Sequence, residues 1–199
     1  MTALPGLILA AACGAAYLLG SIPTGLLLGK VYGIDVRREG SGNIGATNLY
    51  RTLGRRVGIL TLIGDCLKGL APVLAARYFA PSTDLAAWVG LAAFYGHVFS
   101  VFLRFKGGKG VATALGVFLA LSPLAVAISL AVFLLLVLKW RYVSLGSVAA
   151  AAVMPLAVYL LRGSQAMLLV TALVAVIVII RHHANIKRLV DGTENKFKA

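Results

Sequence analysis

The sequence predicts an all-α, polytopic integral membrane protein of seven helices: five full crossings and one broken, re-entrant helical pair. Three observations predict it. Of 199 residues, 60% are hydrophobic and only 13% are charged, against about 25% charged in a soluble domain, and mean hydropathy is +0.94. Apolar runs of crossing length recur at 4–29, 57–79, 86–103, 143–161 and 164–180, each near the roughly 20 residues a span requires. The longer run 111–138 is interrupted by Ser122-Pro123. These features exclude a disordered chain, a disulfide-stapled secreted module and an ordinary soluble enzyme. No linker or internal repeat divides the chain, so 1–199 reads as one membrane-embedded domain.

Charge orients the elements in order. The formal net charge is +13, from 19 Lys+Arg against 6 Asp+Glu, and cations collect on the cytoplasmic side of membranes. The run 4–29 has no basic segment before it and meets its first cation at Lys30, the pattern of a retained anchor with its N-terminus outside. The 30–56 loop carries Lys30, Arg37, Arg38, Arg51, Arg55 and Arg56 and is placed inside. The 80–85 connection, including Pro81, has no cation and is placed outside. Arg104, Lys106 and Lys109 return inside after the third span. A single crossing by 111–138 would then put Lys139, Arg141 and the tail with Lys187, Arg188, Lys196 and Lys198 outside, against the charge rule. A reversal at Ser122-Pro123, giving short helices 111–121 and 124–138, keeps these clusters inside and leaves only Arg77 and Arg162 near the outer face. Broken backbone at membrane depth is tolerated only where protein buries it or it lines a cavity, so the break points to a polar pocket.

Three clusters carry chemistry. In Gly40-Ser41-Gly42-Asn43-Ile44-Gly45-Ala46-Thr47-Asn48, followed by Arg51, glycines let backbone amides turn toward an anion. Ser41, Asn43, Thr47 and Asn48 add neutral donors, and Arg51 adds a cationic fork. A flexible linker would not need so many donors. In Phe105-Lys106-Gly107-Gly108-Lys109-Gly110-Val111, glycines and two lysines open directly into an apolar helix, whose N-terminus favours phosphate; the first glycine of a Walker A loop is missing. In Arg181-His182-His183-Ala184-Asn185, His182 and Asn185 share a face of a continuing helix; His182 is either an interfacial residue or part of a site. Lys187 and Arg188 read equally as a basic tail touching lipid.

The remaining polar residues read more plainly. Asp65 and Lys68 form a mutually neutralising pair within the second span, with pocket lining as the alternative. His97 is a hydrogen-bonded packing residue in mid-span. Ser144 and Ser147 either donate hydroxyls or permit close helix packing. Cys13 and Cys66 lie in apolar stretches and act as small packing residues. No metal-ligand spacing, no Gly-x-Ser-x-Gly elbow and no His-x4-Asp pattern is present, and hardly a carboxylate is available as a base.

At these clusters the chain resembles the bacterial acyl-phosphate:glycerol-3-phosphate acyltransferase family. Segments 41–51, 106–113 and 182–189 match its three cytoplasmic motifs in order and spacing. The likeness extends to Gly64-Asp65, Lys68-Gly69 and Gly20-Ser21-Ile22-Pro23, and covers effectively the whole chain. Ser100 stands where the family usually has Pro, and His183-Ala184 replaces a common Arg-Glu.

The resemblance implies transfer of a fatty acyl group from acyl phosphate to the 1-hydroxyl of glycerol 3-phosphate. The products are 1-acyl-glycerol 3-phosphate and inorganic phosphate, without acyl-CoA or acyl carrier protein as direct donors. It implies a catalytic set of His182, Lys109 and Asn185. The expected phosphate-binding set is Ser41, Gly42, Asn43, Asn48, Arg51, Lys106, Gly107, Gly108, Gly110 and Ser147. The 107–110 amides with Lys109 are expected to stabilise the carbonyl oxyanion and departing phosphate. The base is either substrate phosphate or His182. The expected partners are glycerol 3-phosphate, fatty acyl phosphate and membrane lipid, with no cofactor, metal or nucleic acid. The protein is expected to act as a monomer in the bacterial cytoplasmic membrane, with its site and C-terminus on the cytoplasmic face. A permease for a phosphorylated anion is the competing class, but it calls for charges in both halves of the membrane, whereas polarity here lies on one side. A membrane assembly factor would have no use for three anion-binding loops.

Overall fold

The computed structural model describes residues 3–80 and 82–197; Pro81 and Lys198, cited above, lie outside them. The described residues form ten α-helices and no strand. They are α1 (Ala3–Ser21), α2 (Thr24–Val31), α3 (Ala46–Leu53), α4 (Arg55–Phe79), α5 (Thr83–Val98), α6 (Val111–Leu121), α7 (Pro123–Trp140), α8 (Val143–Leu160), α9 (Gln165–Arg181) and α10 (His183–Val190), with a 3-10 turn at Val101–Leu103. Five stretches are long and apolar enough to cross a membrane: Gly6–Val31, Arg55–Phe79, Thr83–Leu103, Pro123–Trp140 and Val143–Leu160. The pair α9 and α10, bent by 57°, makes a sixth.

The count exceeds seven for three physical reasons. Pro23 lacks an amide hydrogen and clashes with a helix interior, so the first run splits into α1 and α2. The donor-rich loop contains α3. The last helix stops at His182 and restarts as α10. The break at Ser122 falls where the sequence placed it, with Ser122 in a non-helical conformation and Pro123 opening α7. Its two arms are unequal: α6 has 11 residues and α7 has 18, so α7 alone has crossing length and α6, at about 16 Å, does not.

The chain forms two compact units, Met1–Leu121 and Ser122–Ala199. In the first, small residues bring backbones together. A Cβ on Gly20 of α1 would overlap the Ala93 carbonyl of α5, and one on Gly96 would overlap the Tyr17 carbonyl. The same device joins α4 and α6 through Gly69 and Gly116, as expected where van der Waals packing drives helix association. Carbonyls released by the α1 break find donors: Ser100 Oγ donates to Ser21 O at 2.6 Å, and Lys68 Nζ donates to Ile22 O at 2.7 Å. Tyr17 OH donates to Phe99 O at 2.7 Å. Arg77, placed by sequence near the outer face, donates to the Ala120 carbonyl at the end of α6. The polar stretch after α2 has a small core of its own, in which Leu26, Val36, Ile44, Leu49 and Val57 are buried. That core makes 32–54 a folded segment rather than a flexible linker.

In the second unit α8 packs on α7 and on α9. Gly146 faces Phe133 and Val137 closely enough that a Cβ would crowd both. Ser164 caps α9 by accepting the Met167 amide at 3.2 Å. After α10, Gly192 at φ +69° turns the chain back, and the tail reaches the α7–α8 turn. There Phe197 N donates to Arg141 O at 2.6 Å, and Arg141 Nε donates to Phe197 O at 3.1 Å. Large apolar side chains such as Leu134, Leu135, Leu138, Leu160 and Ile180 are exposed, the reverse of a water-soluble surface.

Candidate active site

The first cluster is organised by Asn48. This buried side chain accepts the Ser41 amide on Oδ1 at 2.8 Å, and its Nδ2 donates to Val36 O at 3.2 Å and Glu39 O at 3.1 Å. Both its donors are committed to the loop, so Asn48 shapes the turn that carries Ser41 and Gly42. Gly40 and Gly42, at φ +56° and +69°, let the chain double back over it. Asn43 Oδ1 accepts the Gly45 amide at 2.8 Å, closing a turn ahead of α3. Ser41, Gly42 and Arg51 remain exposed, Arg51 on the last turn of α3. Asp35, beside this loop, is held well below the ordinary carboxylate range by hydrogen bonds from the Arg37 side chain and backbone.

The second cluster lies along the C-terminal end of α5. Phe105 N donates to Ser100 O at 2.8 Å, Gly107 N to Val98 O at 3.1 Å and Gly108 N to His97 O at 3.1 Å. A Cβ at Gly107 would overlap the His97 carbonyl, one at Gly108 the His97 ring, and one at Gly110 the Phe94 ring. The glycines are therefore required by close approach to α5. The Gly107 and Gly108 amides serve this seam. The first turn of α6, whose amides have no intrahelical partner, follows directly. Lys106 is exposed and Lys109 half-buried. Arg104 and Phe105, at φ +51° and +62°, both sit in the left-handed region, so the turn into the loop is strained.

His97 is the buried packing residue expected within the third span, but it sits near the end of the helix rather than at its middle. It lies in the last turn of α5, buried, with Nδ1 3.6 Å from Asp65 Oδ1. Asp65 pairs with Lys68 at 2.8 Å, as the sequence indicated.

In the second unit, His182 is the buried residue at the bend between α9 and α10, which corrects the continuous helix expected there. His182 Nδ1 lies 2.7 Å from Val178 O. A carbonyl only accepts, so this contact assigns the proton to Nδ1 and leaves Nε2 as the basic nitrogen. Buried Asn185 donates from Nδ2 to Glu194 Oε1 at 2.7 Å. Glu194 also accepts Ser144 Oγ at 2.8 Å and pairs with Arg188 Nε at 2.7 Å. Burial alone would raise its carboxyl pKa; the hydrogen bonds from Asn185, Arg188 and Ser144 outweigh that and hold it below its ordinary value. Ser147, also buried, donates to Val143 O at 2.9 Å.

Glu194 was missed by sequence reasoning, and Arg188 is its partner rather than a free basic tail. The available signal was Asp191-Gly192, a turn dipeptide able to return the one nearby glutamate to the helix. A buried carboxylate does occur here, engaged as an acceptor.

The profile of the glycerol-3-phosphate acyltransferase family matches residues 10–192. The glycerol-3-phosphate acyltransferase of Trichlorobacter lovleyi is 72% identical over 184 residues, 92% of this chain and 95% of that protein. That of Geobacter sulfurreducens is 61% identical over the same shares. Among solved structures, the glycerol 3-phosphate form of PlsY (YgiH), an integral membrane glycerol 3-phosphate acyltransferase, superposes with a TM-score of 0.92 at 41% identity, covering 96% of each chain. Its lysophosphatidic acid form gives 0.89 at 41% identity, covering 96% of this chain and 95% of that one. With the family profile matching residues 10–192 and relatives matching nearly end to end, this chain belongs to the glycerol-3-phosphate acyltransferase family of integral membrane proteins.

Proposed function

We infer that this protein transfers a fatty acyl group from an acyl phosphate to the 1-hydroxyl of glycerol 3-phosphate, releasing inorganic phosphate and lysophosphatidic acid. The observation that carries the donor assignment is the 106–110 loop, fixed along α5 by two backbone hydrogen bonds and delivering Lys109 to the N-terminus of α6. A cation beside unpaired helix amides suits a phosphate that must accept charge as it leaves. In the first unit, Ser41, Gly42, Asn43 and Arg51 hold substrate phosphate, and Lys106, Lys109 and Gly110 serve the acyl phosphate. In the second unit, His182 presents Nε2, and Asn185 and Ser147 add polar groups.

The chemistry needs no enzyme nucleophile. The 1-hydroxyl adds to the acyl carbonyl, its proton passes to substrate phosphate or to His182 Nε2, and collapse expels phosphate. Bound orientation supplies the effective concentration, while the acyl chain lies against apolar helices. The family match runs through both units, supporting a single acyltransferase domain, which we propose works as a monomer. The clustering of cations supports a bacterial cytoplasmic membrane orientation with the N-terminus outside and both site and C-terminus cytoplasmic. The test is phosphate release from palmitoyl phosphate by the purified protein alone. Release that depends on glycerol 3-phosphate is expected; proteoliposome uptake without release would overturn the assignment.

A further inference from the structure

We propose that His97, steadied by Asp65, is a positioning residue that sets the path of the 106–110 loop and thereby the reach of Lys109. This inference rests on the role given to Lys109 above. His97 grips the loop in two ways. Its carbonyl accepts the Gly108 amide at 3.1 Å, and its ring lies where a Cβ at Gly108 would have to be. Nδ1, on the other side of the ring, lies 3.6 Å from Asp65 Oδ1.

That carboxylate is itself pinned. Lys68 Nζ lies 2.8 Å from the same oxygen and donates to Ile22 O, a carbonyl freed by the Pro23 break. Backbone from the α1–α2 break, ion pair from α4 and ring from α5 therefore form one buried chain ending at the loop. Charges within a membrane span are expensive, and a pair that merely cancels itself is replaceable by apolar side chains at little loss. A pair that also orients a ring against a glycine turn has specific work. Because Gly108 carries no side chain, ring and backbone meet directly, and movement of the ring moves the loop.

The experiment is a double-mutant cycle on the purified full-length enzyme with palmitoyl phosphate and glycerol 3-phosphate. His97→Ala is expected to lower kcat about 30-fold while KM for glycerol 3-phosphate stays within twofold. In a Lys109→Gln background, itself strongly impaired, His97→Ala should cost no more than a further twofold, since the group it positions is gone. A merely structural His97 would give losses that multiply and would move KM as well. Where His97→Ala does not survive purification, His97→Gln, which keeps a polar group of similar reach, is judged by the same cycle. Multiplying losses, or an unchanged kcat in the His97 variant, would overturn this proposal alone. Normal turnover in Lys109→Gln by itself would overturn the reading of the loop and this proposal with it.

Discussion

Glu194 offers the most direct energetic test. Its carboxylate receives three hydrogen bonds, from Ser144, Asn185 and Arg188, at 2.7–2.8 Å. Glu194→Gln keeps the shape and one acceptor oxygen but turns an amide NH2 toward Arg188 Nε, so a charge-assisted bond becomes two facing donors. Such bonds contribute about 1.5–3 kcal/mol; Arg188 is partly exposed, which places the loss near the lower end, at about 1.5 kcal/mol. Glu194→Ala also strands the buried Asn185 and Ser144 donors, at about 1–3 kcal/mol each, for a total of about 4 kcal/mol. With about 2–4 °C per kcal/mol for a chain of this size, Gln should lower Tm by about 3–6 °C and Ala by about 8–16 °C in a detergent-solubilised melt. The wild-type carboxyl lies below its ordinary value of 4.5. Its stabilisation is therefore complete above about pH 4.5 and fades as pH falls through the folded pKa; Glu194→Gln should lack that acid-side slope. Melting temperatures within 1 °C of wild type for both variants would refute the docking of the tail.

Other outcomes follow from single contacts. His182→Ala and His182→Asn should each reduce turnover by about 100-fold, in the range for loss of a general base; near-normal rates in both would remove His182 from the chemistry. Arg51→Lys loses the two-pronged fork and should raise KM for glycerol 3-phosphate about tenfold with kcat kept, and an unchanged KM would exclude Arg51 from phosphate binding. Ser100→Ala leaves the buried Ser21 carbonyl without its donor and should cost about 1–3 kcal/mol, read as a lower melting temperature with KM unaltered. A cysteine at position 139 should label from the cytoplasmic side of intact cells, and labelling only from outside would invert the proposed orientation.

Hydropathy and charge made the membrane architecture legible because each crossing element must be apolar over a fixed length, and Ser122-Pro123 announced a break by its chemistry. The α1 break escaped the same reasoning because the run 4–29 has the length of one crossing, although Ser21-Ile22-Pro23-Thr24 carries the same chemistry as Ser122-Pro123. The donor-rich clusters were legible as clusters, but composition does not say which way a side chain turns. Asn43 and Asn48 look alike in sequence; only the core of Leu26, Val36 and Leu49 turns Asn48 inward. His97 could be read as buried but not as a support for Gly108, since Asp65, His97 and Gly108 come from three segments joined only by helix packing. Glu194 drew no reading from the sequence because its burial depends on a reversal at Gly192. Ser100 departs from the Pro usual in the resembled family, and its hydroxyl supplies a hydrogen bond that proline has no donor to make.

The consecutive left-handed residues Arg104 and Phe105 bear on the timing of work in this enzyme. Each side chain in that region opposes the fold by about 1–2 kcal/mol, and neither is the glycine that would relieve it. Like a spring set when a latch is assembled, the turn is tensioned once, during folding, and the seam of backbone hydrogen bonds along α5 keeps it so. In the reaction proposed above, the acyl phosphate would meet a lysine already in place, and no part of its binding energy would go into bending the chain around it.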